Sequence, residues 1–479
     1  MKKKLLYLLC VVITVACMCG IYYIADRVLI VKRTDGILPM QDFYAQKEDT
    51  VDVLLLGSSH TGMNLDVSEF WIKKGQSAYA LWGSIQPFWN SYHFLVEALK
   101  TQHPKAVVLD VYAATFDFEY SDRGRQVVNL CGMRPSMNKW EAIKVSAPKD
   151  RWFNLMAGMP AYHNRYWEID AEDFQHFPWN PELVNDKGTY YRYNFGPSLL
   201  MDVSDVTETA PLMEKEEVYL RKIIELCQDK NIPIILILTP TATARDVQPV
   251  MNTVAIIAEE YEIPFYNFNL IWDQADCCEL DFNTDGGHLN TRGARKISGW
   301  LAARLQEDYD LPDRRGDPVY LSWDAHAQNI EEEYIKLITR NEDYFEELNR
   351  NGYDIIVVSI TETVLQSDNG KDIAEYLGQT GINVDEICYG YMTCWTYSQQ
   401  GDAVSLTEQM LENDNFRFEF DGTIWDIETC ERWEVMCNGE TQSNISEHGI
   451  YIFVIDPQQS KCIDVAMFPE NNDFAIAHN

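Results

Sequence analysis

Between residues 51 and 310 the chain alternates short apolar runs with longer amphipathic stretches. Val51–Leu56, Ala78–Leu81, Ala106–Tyr112, Pro233–Leu238 and Pro264–Asn267 have the length and apolar continuity of strands covered on both faces. Between them, Phe88–Lys100, Glu214–Asp229, Val250–Tyr261 and Thr291–Leu305 repeat apolar residues at helical spacing. Strand and helix in regular alternation predict an α/β domain, a doubly wound parallel sheet with right-handed crossovers, over residues 50–310.

The pattern changes in three places. Ala114–Leu212 interrupts the alternation for about a hundred residues, too long for a plain loop. From Trp152 to Phe195 it holds twelve Phe, Trp or Tyr residues, among them Tyr162, Tyr166, Trp167, Trp179 and Tyr190. Such rings suit either a small subdomain's own core or a groove for sugar rings, with His163, Arg165 and Tyr166 as candidate substrate contacts. Asp310–Asp317, DLPDRRGD, has the content of a linker. Beyond it, residues 318–479 predict a second, smaller α/β or α+β domain: an acidic helix over Gln328–Arg350, a strand over Tyr353–Ile360, a helix over Asp372–Thr380, then mostly strands.

At the other end, Met1–Lys4 reads MKKK and Leu5–Ile24 is uncharged and apolar. About twenty residues at about 1.5 Å each reach about 30 Å, enough to cross a bilayer. The lysines favour a cytoplasmic tip with the bulk of the chain outside, which predicts a single-pass anchor over residues 1–26. A cleaved signal peptide is the rival, and a lipoprotein reading through Cys17 fits poorly because Thr14 stands where a leucine is wanted.

Candidate chemistry sits at two turns. In Val51–Met63, VDVLLLGSSHTGM, a strand runs into Gly57-Ser58-Ser59, and Gly57 lets the main chain turn tightly so that Ser59 stands at the carboxyl edge of the sheet. The same pattern describes a serine that merely caps a helix. Far downstream, Asp281–Lys296, DFNTDGGHLNTRGARK, supplies Asp285 and His288, three residues apart in a Gly-rich turn before a helix capped by Thr291. A serine hydroxyl needs a base, and the base needs a carboxylate to hold its tautomer; Ser59, His288 and Asp285 are the residue types for that work. Asp285 as a turn cap and His288 as a surface histidine are the plainer reading.

On these residues the chain resembles the SGNH (GDSL-type) hydrolases. Gly57-Ser58-Ser59 stands where that family has Gly-Asp-Ser, and Asp285-Gly286-Gly287-His288, with Leu289, Asn290 and Gly293, matches its Asp-x-x-His block. The resemblance implies a flavodoxin-like sheet, a Ser59–His288–Asp285 triad and activity on esters; separately, no metal site is visible in the sequence and no cofactor is expected. Gly83, after the second strand, matches the family's second block, so the N–H groups of Ser59 and Gly83 are expected to form the oxyanion hole. The family's third-block asparagine is missing after Ala106–Tyr112, which leaves Tyr112 as the nearest stand-in donor. His60, beside the nucleophile, is a further candidate substrate contact. The segment 448–456 with Cys462–Phe468 is similar to a strand pair of interleukin-like EMT inducer domains, and Tyr353–Gly381 resembles another part of them in a permuted order. That likeness implies a glycan-binding module.

Composition narrows the partners. A formal charge of −35 and a pI near 4.5 oppose binding to nucleic acid and to anionic membrane surfaces. Of twelve cysteines, Cys10, Cys17 and Cys19 lie in the apolar run, and no Cys-x-x-Cys occurs. Cys388, Cys394, Cys430, Cys437 and Cys462 near the end allow one or two bridges or free buried thiols. Two functions are expected on these grounds: a cell-envelope esterase or O-acyltransferase working on an acylated, most simply acetylated, surface polysaccharide through acyl-Ser59, or an anchored glycan-binding or assembly protein with impaired catalysis.

Overall fold

The structure, a computed structural model, describes residues 2–30, 35–175, 186–194, 196, 198–359, 363–366, 370–384, 393–398, 403–406, 416–429, 433–445, 449–457, 459–469 and 476–478. It divides into two compact units, Met1–Ala327 and Gln328–Asn479.

The first unit is built on five parallel strands, β1 (Val53–Gly57), β2 (Ala78–Trp82), β3 (Ala106–Asp110), β4 (Ile234–Leu238) and β5 (Phe265–Asn267), in the order β2-β1-β3-β4-β5. That is the order of a flavodoxin-like sheet. Every position of β1 to β4 is buried, as continuous apolar runs require. Because successive side chains point to opposite faces, the runs feed two cores. Leu54, Leu56, Tyr79, Leu81, Val107 and Leu109 meet Phe94, Leu95, Leu220 and Ile223 from the helices Phe88–Ala98 and Glu214–Asp229. Val53, Leu55, Ala80, Trp82 and Val108 meet Phe70, Ile297 and Leu301 from the helices Val67–Lys74 and Thr291–Tyr309. Leu55 lies opposite Ala80 and Val108 at the centre, so Leu55→Ala should cost about 2–5 kcal/mol.

Several boundaries differ from the sequence reading, each for a tertiary reason. Residues 318–327, expected in the second domain, pack on the first: Trp323 is buried, donates its indole N–H to the Ala78 carbonyl at 3.0 Å, and lies beside Trp71 and Tyr320. The helix expected over Gln328–Arg350 is two helices, Leu321–Ile335 and Asn341–Asn351. Between them the Ile338 carbonyl accepts from His478 at 2.7 Å and the Thr339 carbonyl from the Ile476 N–H at 3.4 Å, so bonds to the far end of the chain replace the helical ladder. The helix expected from Val250 begins at Ala244, with Pro249 inside it.

The second unit carries two antiparallel sheets. One holds six strands, β6 (Asp354–Ser359), β7 (Thr393–Tyr397), β8 (Val404–Ser405), β13 (Gly449–Asp456), β14 (Lys461–Pro469) and β15 (Ala477–His478), ordered β15-β14-β13-β6-β7-β8. The other, β12-β11-β10-β9, comprises β9 (Phe416–Phe420), β10 (Thr423–Thr429), β11 (Trp433–Cys437) and β12 (Glu440–Ile445). Trp425, Val435, Tyr451 and Phe453 share one core. Cys394, Cys437 and Cys462 are free thiols, while Cys388 and Cys430 lie outside the described residues.

The N-terminal helix, Lys2–Leu29, includes a stretch, Lys3–Leu29, long and apolar enough to cross a membrane, with mean hydropathy 2.5 over an 18-residue window. The aromatic insertion forms short helices, among them Arg123–Cys131, Met137–Ser146, Trp152–Ala157 and Met159–Tyr162. Trp179 and Phe195 lie outside the described residues.

Candidate active site

The strand order places the sheet's switch point between β1 and β3, where connections leave toward opposite faces and ligands bind in such sheets. β1 ends there at Gly57, whose φ of +151° and crowding admit no side chain: a Cβ would stand 2.4 Å from Thr61 Oγ1. Gln86 braces the turn by donating to the Gly57 carbonyl at 3.0 Å. Ser59 then opens the short helix Ser59–Met63, half-buried, with its N–H among those that a helix start leaves without an intrahelical partner.

The loop 281–291 brings the other two residues. Phe282 and Leu289 bridge across it, Asn283 donates its N–H to the His288 carbonyl at 2.9 Å, and the Asn290 amide donates to the Leu280 and Phe282 carbonyls. The next helix is capped by the Asn290 side chain, which accepts from the Gly293 N–H at 3.0 Å; Thr291, expected as the cap, is its first residue and accepts from the Arg192 N–H instead. Asn64, at the end of the Ser59 helix, ties the loops together: it accepts the Leu289 N–H at 2.9 Å and donates to Thr239, just past β4, at 2.7 Å.

Held this way, His288 Nε2 lies 2.9 Å from Ser59 Oγ, and His288 Nδ1 lies 3.0 Å from Asp285 Oδ2. The carboxylate does two jobs, because its Oδ1 accepts the N–H groups of Gly287 and His288, both at 3.1 Å. Turn cap and histidine partner are therefore one residue, not alternatives. A fourth side chain joins them that the sequence did not disclose. Arg192 donates to Asp285 Oδ2 at 2.6 Å and to Asn283 Oδ1 at 2.7 Å. It comes from the tail of the insertion, 93 residues away, in a segment with no motif; only its return to the sheet edge shows its place.

Charge follows geometry. Burial pushes the Asp285 carboxyl up, but the Arg192 bond and His288 outweigh it and hold the group down at about 2. Burial lowers the His288 pKa, Asp285 opposes it through charge and hydrogen bond, Arg192 lowers it again, and the net shift is downward. Near neutrality the site thus holds an ionised carboxylate and a neutral imidazole whose Nε2 faces a hydroxyl, the state a general base requires. Asp110, at the end of β3, is buried and pushed up to about 7, and it accepts from the N–H of Tyr112.

The remaining candidates fall into two places. His60 is buried beneath the site, stacked on Tyr112 at 4.0 Å and edge-on to His288 at 5.0 Å, with Nδ1 3.2 Å from Thr239 Oγ1. Burial, then the neighbouring His288, drives its pKa well down. His60 therefore packs against His288, and Tyr112 packs on His60 behind it. Gly83 sits after β2, where a Cβ would strike Asn129 Oδ1 at 1.9 Å. His163, Arg165 and Tyr166 gather elsewhere, against the end of the N-terminal helix. Arg165 is engaged with Asp173 at 2.7 Å and with the Val28 and Ile30 carbonyls, and His163 Nδ1 lies 3.0 Å from the Pro160 carbonyl.

No family model matches the chain, and no curated protein matches it. Among solved structures it is similar to a protein from Bacteroides fragilis described as a "putative acylhydrolase", with 11% identity and a TM-score of 0.29 over 56% of this chain and 93% of that one. A likeness of that size carries no argument, and the chemistry of the site rests on its own geometry.

Proposed function

We propose that the protein is a serine-dependent acyl-transfer enzyme of the SGNH type, and that Ser59, His288 and Asp285 are its catalytic triad. The observation that carries this reading is the unbroken chain Ser59 Oγ–His288 Nε2–His288 Nδ1–Asp285 Oδ2, at 2.9 and 3.0 Å, on the carboxyl edge of the sheet. Ser59 Oγ attacks the carbonyl carbon of an ester while His288 Nε2 takes its proton. The tetrahedral intermediate collapses as His288 returns that proton to the departing sugar oxygen, leaving acyl-Ser59. His288 then deprotonates the acceptor, which attacks the acyl carbon, and the second tetrahedral intermediate collapses as His288 returns that proton to the departing Ser59 Oγ. With water the product is a carboxylic acid; with a sugar hydroxyl it is a new ester.

The N–H groups of Ser59 and Gly83 are the oxyanion donors of this reading. With no asparagine after β3, the hole has two donors and no amide arm. One missing donor costs about 3 kcal/mol, or about 10²- to 10³-fold in rate, which slows such an enzyme without silencing it. The alternative, an anchored glycan-binding protein with impaired catalysis, draws on that same gap; it leaves unexplained why Arg192 and the Asn64 brace hold the three residues in register.

The apolar N-terminal helix supports placement at a membrane as a single-pass anchor with the bulk of the chain outside, and an acylated envelope polysaccharide is the proposed substrate. The second unit, resembling a glycan-binding module in part of its sequence, is proposed to hold that polymer. The test is hydrolysis of p-nitrophenyl acetate, then release of acetate from an O-acetylated polysaccharide, by the full chain. Activity present in the wild type and absent in Ser59→Ala supports the reading. Equal turnover in both removes it.

A further inference from the structure

The insertion holds a cavity that the proposed chemistry does not use. It measures ≈ 700 Å³ and is walled by Arg123, Val127, Arg151, Tyr162, His163 and Arg165, with Asp150 and Glu168 also on its lining. In a chain with 74 acidic and 39 basic residues, three guanidiniums around one cavity run against the average. Arg165 is occupied by Asp173. Among the described residues, neither Arg123 nor Arg151 forms an ion pair within 4 Å. The two stand near each other: partial burial lowers the Arg151 pKa, and the Arg123 charge lowers it again, with Asp150 opposing.

The cavity's location adds a second observation. The elements around it are fastened to the end of the apolar N-terminal helix: Tyr22 donates to the Ala157 carbonyl at 2.8 Å, Tyr162 donates to Asp26, and Arg165 caps the Val28 and Ile30 carbonyls. The same elements expose large rings, Phe153 at 75%, Trp167 at 81%, Phe174 at 58% and Tyr166 at 51%. These rings lie on the insertion's short helices beside the end of the apolar helix, and Trp and Tyr at the end of a membrane-crossing segment sit at headgroup level in a bilayer. Guanidiniums such as Arg123 and Arg151, without an ion pair among the described residues, match phosphate oxygens, which a guanidinium can bind with two parallel N–H bonds.

We infer that this cavity is a binding site for the phosphate of a membrane phospholipid headgroup, held by Arg123 and Arg151, with the exposed rings lying in the interface around it. The site rests on the anchored reading of the N-terminal helix. It would fix the height and tilt of the first unit over the bilayer, and it assigns His163 and Tyr166 to the lipid surface instead of the substrate.

The experiment uses full-length protein in an uncharged detergent and native mass spectrometry. It is titrated separately with dihexanoyl-phosphatidylglycerol, inorganic phosphate and phosphate-free dihexanoylglycerol. The expected result is a saturable one-to-one adduct with the phospholipid, weakened about tenfold or more in Arg123→Gln/Arg151→Gln and weakened less in Arg123→Lys/Arg151→Lys, because the lysine pair keeps the charge but loses the two parallel N–H bonds of each guanidinium. Equal binding by the glutamine variant, or equal binding of dihexanoylglycerol, overturns the site. Inorganic phosphate binding as tightly as the phospholipid overturns the lipid assignment. Should the glutamine variant lose its thermal transition, competition of phosphate against the phospholipid on the wild type decides. Alkaline carbonate extraction of cell membranes reads the anchor separately: a chain released as soluble refutes the anchor and the lipid site together, whereas a retained chain with an arginine-independent adduct refutes the site alone.

Discussion

Two of the molecule's histidines, His288 and His478, each meet an aspartate of their own, and they are set up for opposite ends. His288 meets Asp285 through Nδ1 and leaves Nε2 facing the Ser59 hydroxyl, while Arg192 draws on the same carboxylate. His478, in the second unit, meets both oxygens of Asp464 through Nδ1 at 3.0 Å and spends Nε2 on the Ile338 carbonyl; Tyr344 donates to Asp464 at 2.7 Å. Burial depresses both imidazoles. At His478 the Asp464 bond and charge, with the Ile338 carbonyl, outweigh it, and the pKa rises; at His288 burial prevails over Asp285, with Arg192 adding a smaller downward push, and the pKa falls. A His–Asp pair is thus a proton clamp when both ring nitrogens donate, and a candidate base only when one nitrogen faces a hydroxyl and the pair's negative charge is partly spent elsewhere.

The two pairs should part most sharply at the nucleophile and the base. Ser59→Ala and His288→Ala should each lower kcat/KM for p-nitrophenyl acetate by about 10⁴-fold or more, and Asp285→Asn by about 10³- to 10⁴-fold, since the amide misdirects the imidazole tautomer. His478→Asn should leave the ester rate within about twofold. A comparable loss there would mean that the contrast drawn between the two pairs is false.

Arg192→Gln sharpens the contrast through pH. The base works when neutral, so activity is full above the His288 pKa and lost as pH falls through it; the wild-type acid limb should lie below the usual histidine value of about 6.5. Removing the guanidinium removes one influence that lowers the His288 pKa, so the limb should move upward and the rate should fall roughly tenfold as Asp285 loses a restraint. An acid limb that stays in place, measured as kcat/KM from about pH 4 to 9, would show that Arg192 acts only on loop structure.

At His478 the sign is reversed. Its native pKa is raised, so the stabilisation is complete below the unfolded value of about 6.5 and is lost as pH rises through the native one. Urea unfolding of the full chain should show a stability decline over that window that His478→Asn lacks. Absence of any difference in slope would place His478 as neutral packing. The smallest expected effect concerns the unit boundary. A chain ending after Ala327 should keep the small-ester rate within about threefold, whereas one ending after Asp310 loses Tyr320 and Trp323 from the first core and should melt lower by several degrees. Equal melting of the two would return the boundary to the linker.

How far the sequence discloses the fold and the site depends on how local each signal is. The strands of the first sheet can be read because burial on both faces writes a continuous apolar run, and Ser59 and the 285–288 pair because each lies in a short Gly-marked turn. Arg192 cannot be read: its role depends on the insertion's tail returning to loop 281–291, and nothing nearby marks it. The brace from Asn64 to Thr239 is hidden for the same reason, since two ordinary polar residues become informative only when 175 residues of chain bring them to 2.7 Å. The helix break after Ile335 is written in the carbonyls that His478 and Ile476 take, and periodicity in 328–350 carries no trace of it.

The proposed triad stands or falls on Ser59 as the nucleophile activated by His288. Its most direct test is covalent: the full chain is treated with a fluorophosphonate, which bonds only to an activated hydroxyl, and its intact mass and peptide map are read. One adduct is predicted, on Ser59, formed in the wild type, absent in Ser59→Ala and strongly slowed in His288→Ala. No adduct on the folded wild type, or an adduct that persists in Ser59→Ala, would contradict the claim.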